Sequence, residues 1–191
     1  MDEKAVAKGQ RYLTVVCDLA QGTVEYIGDD RKQASLDGYF TGLTEAQRAD
    51  ITAVAMGMWV PYVESGRTYV PDGASKIVFD RFHIMGHVGD AVDRGRKAEH
   101  RALRAAGDET LTGTTYLWLY RAARAWVIKE TLRHLWSYQR ARWARRHGQR
   151  WYFWDTHRRL KPVIEAARLI QRHLSTVMTY FTHRITNAVA H

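Results

Sequence analysis

The sequence predicts an α/β layer, up to about residue 83, that gives way to a long, basic, all-helical segment. Three observations predict it. Short β-branched runs alternate with short amphipathic stretches as far as Asp80. Beyond Asp80, apolar residues recur at spacings of three and four. The charge changes sign with the pattern. Residues 1–95 hold 10 Lys and Arg against 14 Asp and Glu, a net of −4. Residues 96–191 hold 19 against 6, a net of +13, together with six of the seven tryptophans.

Tyr12-Leu-Thr-Val-Val-Cys17 is a β-branched run broken by Asp18-Leu-Ala-Gln-Gly22, and Thr23-Val-Glu-Tyr-Ile27 alternates after it. The pair reads as a hairpin. Ser35 caps a predicted helix through Leu36 and Phe40 towards Arg48. Ile51-Thr-Ala-Val-Ala-Met56 is apolar enough for a buried strand, and a short helix follows from Trp59 until Gly66 and Pro71 end it. Lys76-Ile-Val-Phe79 is a last buried strand, closed by Asp80.

Ile84, Val88, Ala91 and Val92 then share one helical face. A second stripe runs Trp118, Ala122, Ala125, Ile128, Leu132, Leu135, and a third Val163, Ala167, Ile170, Leu174, Val177, Phe181. Pro162 suits the first turn of the third. Gly107 and Gly113 mark a loop and Gly148 a break. There is no internal repeat.

Composition excludes some classes. One cysteine, Cys17, rules out an internal disulfide and suits a reducing compartment. The start, MDEKAVAKGQ, is unlike a signal peptide. The longest apolar stretch, Ala53 to Val63, is too short to span a bilayer. A cytoplasmic protein that does not enter the membrane is expected. A basic half rich in arginine and tryptophan points to a polyanion, nucleic acid first. A helical bundle with solvated arginine faces explains the same composition.

Two groups of residues invite a chemical reading. Asp80, His83 and His87 have a spacing that suits a metal. They equally suit a helix cap followed by a packed histidine. Asp2, Asp18 and Asp80 fall at strand positions, and carboxylates gathered from separate strands hold paired Mg²⁺ ions for phosphodiester chemistry. Turn formation and capping account for most such aspartates. The basic half offers Arg140, Arg142, Arg145 and Arg146, then Arg158 and Arg159, interleaved with aromatics. That pattern suits phosphate contacts with stacking on bases, or an aromatic core with an arginine rim.

The runs Lys8-Gly-Gln-Arg-Tyr-Leu-Thr-Val-Val-Cys-Asp18, AVAMGMWVPYV, IVFDRFHIMGHV and YFTHRITNAVA, in that order, resemble the DDE transposases of bacterial insertion sequences, in the ISL3 family. The resemblance covers essentially the whole chain. It implies an incomplete RNase H-like core at 1–83, a large basic helical insertion at 84–175, and the start of a C-terminal core helix at 176–191. It implies Mg²⁺- or Mn²⁺-dependent cleavage and joining of double-stranded DNA at transposon ends. By the family motif, Asp2 of the Asp2-Glu3 pair is the first catalytic aspartate and metal ligand. Gly57 stands in the place of the second, with Asp80 the nearby alternative ligand. The third residue, a glutamate, follows Thr186-Asn-Ala-Val-Ala190 in the family, where this chain has His191.

Further departures are expected from the same comparison. The N-terminal DNA-binding region is absent, the first core strand is reduced to its end, and the helical insertion is shortened between Tyr120 and Arg121. The resemblance therefore implies a transposase fragment with defective catalysis. The alternative is a non-catalytic module that binds DNA or inhibits an intact transposase. A homodimer, or pairing with an intact transposase, is the partner expectation.

Overall fold

The computed structural model describes residues 1–7, 11–105, 126–156 and 161–186. The chain is mixed α/β, mostly helical, and forms two compact units, Met1–Ile84 with Ser175–His191, and Met85–Leu174.

The first unit begins with strands β1 (Asp2–Ala7), β2 (Arg11–Asp18) and β3 (Thr23–Gly28), ordered β1-β2-β3 and antiparallel. The hairpin read from the sequence is β2–β3, with Gly22 in the left-handed region at φ 69° where the turn needs it. β1 pairs with β2 from Asp2↔Val15 to Ala7↔Arg11. The parallel pair β4 (Val54–Met56) and β5 (Ile77–Phe79) is fully buried, as its continuous apolar runs require. The Met1 amine donates to the Ala55 carbonyl at 2.8 Å, so the start of β1 lies alongside β4.

Helices α1 (Gln33–Gly42), α2 (Glu45–Asp50), α3 (Val60–Tyr69) and the single turn α4 (Gly73–Lys76) connect and cover these strands. Leu36 and Phe40, one helical turn apart, are wholly buried. The single helix expected from Ser35 to Arg48 is two helices. Thr44 forms a reciprocal capping box with Gln47 and starts a new helix there. Ser35 lies inside α1, and its hydroxyl donates to Asp30 Oδ1 at 2.5 Å. The strand expected over Ile51–Met56 is confined to Val54–Met56. Gly66 does not end α3. It sits within the helix because a Cβ there would lie 3.3 Å from Ile77 and Met56, so the absent side chain lets the helix pack on the β4–β5 pair. At Gly73 a Cβ would lie 2.3 Å from the Gly66 carbonyl, which leaves glycine as the only fit.

The third stripe is not one helix. It is split into α8 (Lys161–Arg172), α9 (Leu174–Met178) and α10 (Tyr180–His183) by turns at His173 and Thr179. Its apolar face is nonetheless buried from Val163 to Val177. Within the first unit, the Thr179 hydroxyl donates to the Ile77 carbonyl at 2.5 Å and the His183 ring to the Ser75 carbonyl at 3.0 Å, docking this segment on β5.

The second unit holds most of α5 (Arg81–Ala105), α6 (126–133), a 3₁₀ turn (His134–Ser137), α7 (Ala141–Thr156) and α8. Trp151 Nε1 donates to the Ile128 carbonyl at 2.9 Å, and His147 Nε2 to the Thr131 carbonyl at 2.6 Å, so one buried and one half-buried polar contact fix α7 against α6. Gly148 is no break. It lies inside α7, where a Cβ would come within 3.2 Å of Leu135. Trp118, Ala122, Ala125, Gly107, Gly113 and the junction between Tyr120 and Arg121 lie outside the described residues. No described helix is long and apolar enough to cross a membrane.

Candidate active site

Met56↔Phe79 is the last pair of the β4–β5 ladder, so Gly57 and Asp80 follow it side by side at the ends of two parallel strands. The Asp80 amide extends the ladder by donating to the Met56 carbonyl at 2.9 Å. Ligands gather at this carboxyl edge of parallel strands because the chain leaves the sheet there in loops and helix starts. Here the chain turns from β5 straight into α5.

Asp80 is 1% exposed and caps that helix. Its Oδ2 accepts from the Phe82 amide at 3.0 Å, its carbonyl from the Ile84 amide at 3.2 Å, and its Oδ1 from the Thr186 hydroxyl at 2.9 Å. The capping alternative read from the sequence therefore holds. Thr186 is the partner that sequence reasoning missed, although it stands in a quoted motif; nothing local signals that residue 186 returns to residue 80. The His83 ring covers Gly57, so that a Cβ there would lie 3.4 Å from the ring.

Among the described residues no three His, Cys, Asp or Glu side chains gather to hold a metal ion. Asp80, His83 and His87 do not form such a group. Asp2 opens β1, next to β4, at the start of its ladder with Val15. Asp18 lies at the far end of β2 and serves its turn, accepting from the Ala20 and Gln21 amides at 2.7 and 3.2 Å. Among the described side chains this edge offers the buried carboxylate of Asp80, whose two oxygens accept from the Phe82 amide and the Thr186 hydroxyl, beside a glycine.

The second unit carries the basic candidates. Arg140, Arg142, Arg145 and Arg146 are all exposed along the start of α7, while Ala144, Gly148 and Trp151 form its buried side. The aromatics divide between both readings offered by the sequence. Trp136 and Trp151 are core, whereas Trp143 and Trp154 are 43% and 53% exposed. The Arg142 guanidinium lies 5.1 Å from the Trp143 ring and that of Arg150 6.0 Å from the Trp154 ring. Trp143 and Trp154 are eleven residues apart, three turns, and so share a face about 16 Å long. Arg158 and Arg159 lie outside the described residues.

Comparison with known proteins bears on both regions. A family described as transposase, of the ISL3 DDE type, matches residues 1–124 and 120–190. The transposase for insertion sequence element IS1001 of Bordetella parapertussis is 29% identical over 176 residues, 80% of this chain and 43% of that protein. The transposase for insertion sequence element IS1557 of Mycobacterium tuberculosis is 24% identical over 235 aligned residues, 99% of this chain and 52% of that protein. The chain thus spans about half the length of the curated relatives it matches. No solved structure matches.

Proposed function

From the premise that the chain belongs to the ISL3 family of DDE transposases, we propose that it is a transposase catalytic-domain segment that binds insertion-sequence DNA but cuts it poorly. The observation that carries the reading is that Gly57 and Asp80 follow Met56↔Phe79, the last pair of the β4–β5 ladder. By the resemblance the family's second aspartate falls at Gly57, which has no side-chain oxygen, with Asp80 the nearby alternative. Asp2 and Asp80 remain as the candidate ligands. Two-ion phosphodiester chemistry depends on several fixed carboxylates. A glycine at one of those places leaves the family's Mg²⁺ or Mn²⁺ with too few ligands, so no cleavage step is assigned to this chain.

The strand arrangement supports an RNase H-like core. β3, β2 and β1 run antiparallel, β1 meets β4 through Met1 and Ala55, and β4 pairs in parallel with β5. The two family matches meet at residues 120–124, and 235 aligned positions accommodate a 191-residue chain. Both support a helical region shorter than in the relatives. The exposed arginines of α7, with Trp143 and Trp154 among them, form the DNA-binding face.

The test uses the purified chain and double-stranded DNA from the ends of its insertion sequence. Binding should fall with salt, with a log–log slope of about −3 to −4 if four arginines each displace one counterion. Nicking and joining in Mg²⁺ or Mn²⁺ should stay at background. Absence of binding at low salt overturns the DNA reading, and robust strand joining overturns the catalytic one.

A further inference from the structure

Exposed aromatic side chains flank the edge where β4 and β5 end. Gly57 and Asp80 follow the last ladder pair, and two residues beyond each stand Trp59 and Phe82, both exposed. Beside Trp59 opens a cleft of about 350 Å³, lined also by Tyr12, Asp30, Arg31, Lys32, Gln33 and Pro61. Pockets that hold small ligands measure about 300 to 1,000 Å³, so this one has room for a single small group. The Arg31 guanidinium stands over the Tyr12 ring at 4.2 Å and over the Trp59 ring at 5.1 Å. The Trp59 indole Nε1 donates to the Arg31 carbonyl at 3.0 Å. Trp59 is thus 40% exposed and yet held both by its face and by its edge.

These features select a class of ligand. A ring already fixed in place loses little further freedom when another flat ring stacks on it. A cationic ligand is disfavoured, because Arg31 already occupies the cation's place over both rings. Lys32 and Asp30 form an ion pair at 2.7 Å, so the side chains lining the cleft carry one net positive charge, that of Arg31. A neutral flat heterocycle on an anionic chain fits, and a nucleobase on a phosphodiester strand is such a group. Gln33 supplies an amide, donor and acceptor together, for the polar edge of a base. We propose that Trp59 is a stacking platform for one unpaired base of a DNA strand beside the Gly57–Asp80 edge. The proposal rests on the DNA reading above and adds to it a preference for distorted DNA. A paired base keeps its faces inside the duplex, so the cleft takes a base only where the strand is frayed or a nucleotide is extruded.

The probes are two duplexes of insertion-sequence end DNA, alike except that one carries a single extra, unpaired 5-iodouracil. The affinity of the whole chain for each is measured by filter binding, and the iodouracil complex is then irradiated and its crosslink mapped by mass. The bulged duplex should bind about fivefold more tightly or better, the low end of what one base stacked on an aromatic ring contributes. The crosslink should fall on Trp59 or Tyr12. Trp59→Leu should bring the ratio of the two affinities to about one, whereas Trp59→Phe, which keeps a ring, should retain most of it. The crosslink map of the unaltered chain stands even if Trp59→Leu does not fold. A crosslink confined to Trp143 or Trp154 overturns the proposal, and so does tight but equal binding of the two duplexes; both leave the DNA reading intact. If deoxythymidine monophosphate at the concentration of the DNA removes the crosslink, the cleft is a free-nucleotide site and the strand proposal falls. Failure to bind either duplex at low salt overturns the DNA reading and this proposal with it.

Discussion

Replacing Asp80 separates its role as a helix cap from any role as a metal ligand. Asp80→Ala removes the acceptor of the Phe82 amide at the first turn of α5, a capping loss of about 1 kcal/mol. It also removes the acceptor of the Thr186 hydroxyl, a further loss of about 1 kcal/mol at a buried site. The sum of about 2 kcal/mol corresponds to a fall in Tm of about 4 to 8 °C for a chain of this size. Asp80→Asn keeps both bonds. Its amide oxygen accepts from Phe82, and its amide nitrogen donates to the Thr186 oxygen, which accepts as readily as it donates. Its stability should stay within about 0.5 kcal/mol of the parent. Thermal unfolding followed by circular dichroism measures both variants, with and without 10 mM Mn²⁺. Any Mn²⁺-dependent rise in Tm that Asp80 mediates should vanish in both. If Asp80→Asn falls as far as Asp80→Ala, the charge rather than the hydrogen-bond geometry holds this end of the sheet, and the capping argument fails.

Gly57→Asp should lower Tm without metal, because a second carboxylate beside Asp80 costs up to about 1 kcal/mol, and regain it in Mn²⁺; a metal-insensitive Tm would contradict the site's register. The triple change Arg142→Ala, Arg145→Ala, Arg146→Ala should make the salt slope of DNA binding shallower by about 3 and leave Tm within a degree or two, as read by filter binding and calorimetry. Asp30 is held well below its ordinary value of 3.8, at about 2, by hydrogen bonds from the Lys32 ammonium and the Ser35 hydroxyl. A depressed carboxylate stabilises the fold above its unfolded value and loses that contribution as pH falls through the folded one. Asp30→Asn should therefore shift the urea midpoint at pH 6 and converge with the parent between pH 4 and pH 2; a constant gap across that range would refute the linkage. Gly73→Ala should cost about 1 to 3 kcal/mol through its clash with the Gly66 carbonyl, and an unchanged urea midpoint would contradict that close approach.

The parts of the fold legible in the sequence are those governed by local pattern. The β2–β3 hairpin, the buried β4 and β5 runs, the Asp80 cap and the stripe from Val163 to Val177 all follow from spacings of two, three or four residues. Local pattern failed where one residue's role depends on a distant neighbour. Gly66 and Gly148 look like breaks because glycine lacks intrinsic helix stability. Both are helical because Ile77 and Leu135 occupy the space that a side chain would fill. Likewise, the division of tryptophans into core and surface is invisible in an alternation of arginine and tryptophan. It is set by which side of α7 faces α6. In the candidate site, Asp80 was readable as a strand-end acid, whereas its bond to Thr186 spans 106 residues and carries no local signature.

The fold at the edge of the β4–β5 pair does not depend on the metal chemistry proposed for it. Main-chain bonds and apolar packing hold the two strands together, with Val54, Ala55, Met56, Ile77, Val78 and Phe79 all buried. Asp80 contributes as a cap, so folding alone is reason enough for its presence. A carboxylate at position 57 would contribute nothing comparable. Without metal it would place a second carboxylate beside a buried one, and like charges at neighbouring strand ends are destabilising. Glycine relieves that repulsion and lets His83 pack over the backbone. A chain that needs this edge only to fold is better served by glycine than by aspartate, whereas a chain that must hold ions here is not. The residue at position 57 therefore separates the structural role of this edge from the proposed catalytic one.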